Sequence, residues 1–248
     1  MEQATGGPVG FLARDAKLWG LTPRRALTIA VAPILAILGI SATVLYPGLF
    51  QRVIEEDRLV EWSQFVLLLS AGFLFAQVGV RLIRSGRTRL GVLYLLLAIG
   101  VFFVAGEEIS WGQRILGLHT PERLAAMNAQ REISVHNIYS LHAAFIYGVM
   151  LGGAYGTIAP LVGSVFAAGR RRASLGQLLV PPLCLVPAFL VPFGYRFWRL
   201  VFRPDVYSSP GYRTYVITKF SEVGELCFYF ALLVFAWLTL RRLRQEPR

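Results

Sequence analysis

The sequence predicts an all-α, polytopic membrane bundle: one transmembrane domain over residues 1–248 with six spanning helices. Three observations predict it. The mean hydropathy is +0.56, and 55% of the residues are apolar. Only 16% are charged, against about 25% in soluble domains. The charges are also not scattered, because they bracket six apolar runs, each long enough to span a bilayer.

The runs lie at about 26–48, 62–80, 89–107, 138–162, 174–195 and 221–240. Residues 1–25 are polar and carry Arg14, Lys17, Arg24 and Arg25. No cleavable signal peptide is expected there, because the run that follows is long enough to span and no small-residue cleavage site follows Arg24-Arg25. Basic residues on one side of the spans are Arg14, Lys17, Arg24, Arg25, Arg81, Arg84, Arg87, Arg89, Arg170, Arg171, Arg172, Arg241, Arg242, Arg244 and Arg248. The other side holds ten, so the positive-inside rule puts both termini in the cytoplasm. A net charge of +11 would suggest nucleic acid in a soluble protein. Here orientation accounts for most of the charge, and no nucleic-acid partner is expected. Arginine outnumbers lysine 23 to 2, a bias typical of GC-rich bacterial genes, and the expected location is a bacterial cytoplasmic (inner) membrane.

Span four carries Ala144, Gly148, Gly152 and Gly156 every fourth residue. Such a face lets a second helix approach closely, either inside the bundle or in a homodimer or partner subunit. Span five carries Pro181, Pro182, Pro187 and Pro192, so it is expected to be kinked, as a packing helix or as a cavity wall. Cys184 and Cys227 lie in different spans and read as packing residues. The longest connections are both on the outer side. Segment 108–137 is expected to hold an interfacial helix from Pro121 to about Gln130 with Thr120 as its N-cap. Segment 196–220 is a basic outer loop. Trp62, Trp111 and Trp198 fall at outer ends, as an interfacial belt would.

Eleven of the fourteen acids and all three histidines (His119, His136, His142) fall on the outer side. A plain anchor has no need of such sorting. Only 15 largely apolar residues, Leu226 to Leu240, separate Glu225 from Arg241. They span about 22 Å of a roughly 30 Å hydrocarbon core, so Glu225 lies below its outer edge and Glu222 about one turn above. Glu107 and Glu108 follow a run of about 25 Å by the same reckoning. Carboxylates at that depth are costly and are candidates for function. Adjacent glutamates point about 100° apart on a helix, so one of the pair faces a site while the other caps or pairs, with Arg114 a natural counter-ion. Of the acidic run Glu55-Glu56-Asp57 and Glu61, the last sits nearest the membrane edge.

The candidate catalytic residues are therefore Glu107, Glu108, Glu225 and His136. Glu108, His136 or His142, Glu222 and Glu225 form a possible ligand set for a divalent metal such as zinc. His136 and His142 are six residues apart and cannot both reach one ion from a regular helix. Trp111, Arg114, Arg196, Arg199, Arg203 and Arg213 are candidates for substrate binding, since arginine suits phosphate and carboxylate groups. Internal pairing of the loop arginines with neighbouring acids is the structural alternative.

The run Gly106-Glu107-Glu108-Ile109-Ser110-Trp111-Gly112-Gln113-Arg114, with His136-Asn137, resembles a motif of uncharacterised bacterial multi-pass membrane proteins. That resemblance implies a fold class and no activity. Glu107-Glu108 is also similar to the glutamate pair of the CAAX-protease and bacteriocin-immunity membrane proteases. It differs from them in placing five residues, not three, before the arginine, and in lacking the Phe-x-x-x-His element. Three readings follow. The first is an enzyme acting on a lipid or lipid-linked anionic substrate at the outer leaflet, by metal or acid–base chemistry. The second is an ion-coupled transporter, and the third a membrane assembly subunit.

Overall fold

The computed structural model describes residues 8–166, 176–202 and 211–245. Among these, eleven α-helices carry the fold, and strand-like pairing is confined to one isolated bridge, Asn128 with Ile138. The helices are α1 (Pro8–Leu18), α2 (Pro23–Thr43), α3 (Pro47–Ile54), α4 (Leu59–Arg84), α5 (Thr88–Glu108), α6 (Gln113–Leu116), α7 (Glu122–Met127), α8 (Tyr139–Phe166), α9 (Gly176–Leu179), α10 (Val186–Phe202) and α11 (Tyr212–Gln245). Six helical stretches are long and apolar enough to cross a membrane, with α3 and α4 running in succession as one of them.

Local chemistry sets the boundaries. Thr22 caps α2, its hydroxyl accepting from the Arg25 N–H at 3.3 Å, and Pro23 occupies the first turn. α4 closes on Gly86, whose φ of +79° suits the left-handed turn that lets Arg87 N bond Leu82 O at 2.9 Å. The fifth span differs most from the sequence expectation of 174–195. Pro181 and Pro182 precede a short 3₁₀ turn at Leu183–Leu185, and the long helix runs only from Val186 to Phe202. Two consecutive prolines leave two peptide nitrogens without a proton, so the helix starts after them. Arg196 and Arg199 thereby belong to the last turns of α10 and not to a loop.

The principal packing order is α5–α4–α11–α10–α8, with α2 against α10 and α11. α5 and α8 end this row and do not pack substantially on each other. Apolar contact with lipid is as good as apolar contact between helices, so close backbone approach has to drive association. Gly79 and Gly91 supply it between α4 and α5: a Cβ on Gly91 would stand 2.7 Å from Gly79 O and 2.6 Å from Ile83 Cγ1. Gly152 and Gly156 are filled within the same chain, by Phe228 and Phe189, while Gly148 meets nothing within 4 Å. The core runs through Phe75, Tyr94, Leu185 and Leu238. Outward-facing residues are apolar too, such as Leu35 at 62% and Ile99 at 65% exposure, the inside-out pattern of a lipid-solvated bundle.

α1, the α4–α5 turn and the last turns of α11 share one end. Arg241 donates to Gly20 O and Arg81 to Leu243 O. Asp15 accepts from Leu183 N at 2.7 Å, and burial pushes its carboxyl up to about 6 against that hydrogen bond. Arg170, Arg171 and Arg172 lie outside the described residues.

Substituting Gly91 by leucine should force α4 and α5 apart and cost about 1–3 kcal/mol. Gly100→Leu, at a position open to at least 4 Å, should leave the melting temperature in detergent within error. Equal melting of the two variants would contradict the glycine seam.

Candidate functional site

The site begins where α5 ends. Glu107 is 2% exposed, and its carboxylate gathers four donors. Trp111 Nε1 and Val135 N each lie at 2.5 Å, His136 N at 2.7 Å and His136 Nδ1 at 3.1 Å. A buried carboxylate is tolerated only when hydrogen-bonded in this manner. The chain then turns sharply. Ser110, Trp111 and Gly112 have φ values of 47°, 55° and 74°, a left-handed sequence that costs about 1–2 kcal/mol for each non-glycine residue. Ser110 is held by a hydrogen bond to Glu132 and Trp111 by its bond to Glu107.

The rest of segment 109–138 is bound to itself. Gln113 Oε1 accepts from Ile133 N at 2.6 Å, and its amide nitrogen reaches Thr120 Oγ1 at 2.6 Å. Asn128 bonds Ser134 O, Ser134 Oγ and Gln130 N. The expected interfacial helix is shorter than the sequence suggests, Glu122–Met127, with Pro121 at its N-cap position and no side-chain cap. Thr120 is not the cap, because its hydroxyl donates to Arg131 O at 2.8 Å. Gln130 ties this lid to the α3–α4 link through Glu56 at 2.9 Å.

Beneath the lid lies a cavity of about 490 Å³ to which every helix of the row contributes. The row therefore curves around it. Its carboxylates are Glu55, Glu56, Glu61, Glu107, Glu108, Glu132, Glu222 and Glu225, and its cations are Arg196, Arg199 and Lys219, with His136 and His142 on the lid side. Arg196 Nη2 bonds Glu225 Oε1 at 2.7 Å, and Lys219 stands 3.7 Å from Glu56. Glu108 turns away from the lid and accepts from Tyr229 OH at 2.9 Å, within electrostatic reach of Glu225, Glu222 and Glu61. Glu222 meets the Gln64 amide at 3.4 Å, while its backbone oxygen takes the same donor at 3.0 Å. The opposite wall is apolar: Ala143, Ile146, Tyr147 and Met150 of α8 with Leu200 of α10.

Of the sequence candidates, Glu107, Glu108, Glu222, Glu225, His136, His142, Arg196 and Arg199 all line this cavity. Trp111 does not line it. Its indole packs on Phe103, ring centroids 5.6 Å apart, and over Gly106. Arg213 is exposed in the first turn of α11 and does not line the cavity either. Arg114 lies in α6, with its side chain outside the described residues, as is all of Arg203. Among the described residues no three His, Cys, Asp or Glu side chains form a group that could hold a metal ion. Cys184 and Cys227 are free and buried.

Sequence reasoning missed Gln64 and Tyr229. Both were legible as faces: Gln64 follows Glu61 by three positions, and Tyr229 follows Glu225 by four and Glu222 by seven. It also missed Gln113, Asn128 and Glu132, whose roles depend on a loop fold without periodicity.

His136 sits before α8, outside the spans. Burial pulls its imidazole down, but the Glu107 carboxylate at Nδ1 outweighs this and holds it above the usual 6.5, with Glu225 and Glu222 assisting. A raised histidine value stabilises the folded loop fully below the unfolded value, and that contribution is lost as pH rises through the folded one. Glu107→Gln should therefore lower the His136 titration midpoint, read by NMR on labelled histidine, and reduce the loss of lid protection between about pH 6.5 and the raised midpoint. An unchanged midpoint would show that Glu107 does not set it.

Fold and site together define a polytopic all-α membrane protein with an acidic cavity under a self-bonded lid at one end. No family model matches the chain, and no curated protein or solved structure matches it.

Proposed function

We propose that this is a membrane enzyme, in a bacterial inner membrane with both termini cytoplasmic, that transfers a proton at Glu108 on a lipid or lipid-linked substrate from the outer leaflet. One observation carries the reading. In the run from Gly106 to Gln113 the polar side chains of Glu107, Ser110, Trp111 and Gln113 all hold the lid, while Glu108, which lines the cavity beside Glu107, bonds instead to Tyr229 of α11. There it meets Tyr229, Glu222 and Glu225.

The cavity is amphipathic, with carboxylates on the α4, α5 and α11 side and an apolar wall on α8. Because α5 and α8 do not close on each other, an acyl or prenyl chain has a lateral way in while its headgroup lies among the charges. Glu108 serves as the acid or base, with the Tyr229 hydroxyl fixing its orientation. His136 is the second proton carrier, held by Glu107. Arg196, fixed by Glu225, and Arg199 orient an anionic group. A divalent cation such as zinc would find its donors in Glu108, Glu222, Glu225 and a histidine, but only after these side chains rearranged, so no step is routed through it. Likeness to the CAAX-type proteases makes a peptide substrate a further assay, although here Glu107 is consumed by the lid.

Purified protein in liposomes of total bacterial lipid extract tests the reading, with products followed by mass spectrometry. Glu108→Gln should cut turnover by about 10²–10⁴-fold, the usual share of a general acid or base, and Tyr229→Phe by less. A lipid profile identical for wild type and Glu108→Gln overturns the enzyme reading. Proton flux that depends on Glu225, without turnover, would favour an ion-coupled carrier, which the excess of carboxylates over cations in the cavity also suits. Metal content measured on the same samples decides the zinc arm.

A further inference from the structure

At the opposite end of the bundle a groove of about 930 Å³ lies between the last turns of α4 and of α11. Among the described residues its charged lining is Arg81, Arg84, Arg87 and Arg244, with no carboxylate. This is the reverse of the acidic cavity. We propose that the groove binds the headgroup of an anionic phospholipid, with an acyl chain lying along α4.

Charge is the first argument. Four guanidinium groups around one groove complement a phosphodiester, and basic pockets between spanning helices on the cytoplasmic side suit anionic lipid. The arginines are also positioned. Arg81 Nε bonds Leu243 O at 3.3 Å, and Arg244 Nη2 bonds Gln77 Oε1 at 3.3 Å. Each bond uses one of the five N–H donors of a guanidinium and leaves its fork to bind an anion.

Depth separates a lipid from a free anion. Below the arginines the groove is walled by Val80 and Phe73, which are 40% and 58% exposed. Phe73 lies eleven residues before Arg84, or about 16 Å deeper along the helix. A free phosphate would use the rim and leave that wall uncovered. A phospholipid fills both, with its phosphate on the rim and its chain on the wall.

The test uses the delipidated full-length protein in detergent. Phosphatidylglycerol, phosphatidylcholine with the same acyl chains, and inorganic phosphate are titrated by native mass spectrometry and thermal melting. Phosphatidylglycerol should be retained and raise the melting temperature, and the other two should do neither. The double variant Arg84→Gln with Arg244→Gln should weaken it at least about tenfold. Arg84→Lys with Arg244→Lys, which keeps the charge, should recover much of the affinity. Arg24→Gln with Arg25→Gln, at the same end but outside the groove, should leave binding unchanged. Equal weakening by that control pair would mean diffuse attraction and overturn the site. Equal retention of phosphatidylcholine would also overturn it, as would displacement of phosphatidylglycerol by an equal concentration of inorganic phosphate.

Discussion

The lid end of this protein depends on one carboxylate. Glu107 closes α5, and its four hydrogen bonds come from both ends of a thirty-residue excursion: Trp111 just beyond the helix and Val135–His136 just before α8. A charge at the edge of the hydrocarbon would cost several kcal/mol if left unpaired. Here that cost becomes a constraint, because the chain must return to Glu107 to satisfy it. The left-handed turn at Ser110–Gly112 is tolerated for the same reason, since it aims the indole N–H back at the carboxylate. With Glu107 fixed in this way, helix geometry sends Glu108 about 100° around α5, toward Tyr229 of α11. Two identical adjacent residues thus meet different partners, the lid loop for Glu107 and Tyr229 for Glu108, through helical pitch alone.

Much of this was legible in the sequence, unevenly. The number and class of spans followed from apolar length, because in lipid the backbone must satisfy itself and leaves helices as the available form. The sorting of acids to one end followed from counting. The depth argument for Glu222 and Glu225 needed only the rise per residue, and both line the cavity. The start of α10 was misplaced by about a dozen residues because Leu178, Leu179 and Val180 are as apolar as the helix itself. Hydropathy does not see that Pro181-Pro182 interrupts the hydrogen-bond ladder. The consequence is chemical: Arg196 and Arg199 ride on a helix, and Arg196 pairs with Glu225. Segment 109–138 was the least legible part. Thr120 reads as a cap from its neighbours, yet Gln113 and Arg131, distant in sequence, compete for its hydroxyl and win.

The two ends of the bundle pose opposite electrostatic problems. The α1 end collects arginines, several of them on backbone or amide oxygens, as Arg81, Arg241 and Arg244 are. Such bonds orient a cation without neutralising it, so that end remains positive and suits an anionic lipid surface. At the lid end the described lining of the cavity holds eight carboxylates and three cations: Arg196 pairs with Glu225, Lys219 stands by Glu56, and Arg199 donates to Tyr195 OH at 3.4 Å. Hydrogen bonds from Tyr229 and Gln64 relieve Glu108 and Glu222 in part, but they add no positive charge. Among the described residues two arginines line this cavity, Arg196 and Arg199. On the proposed function, a substrate or protons entering the cavity would meet that excess of carboxylates.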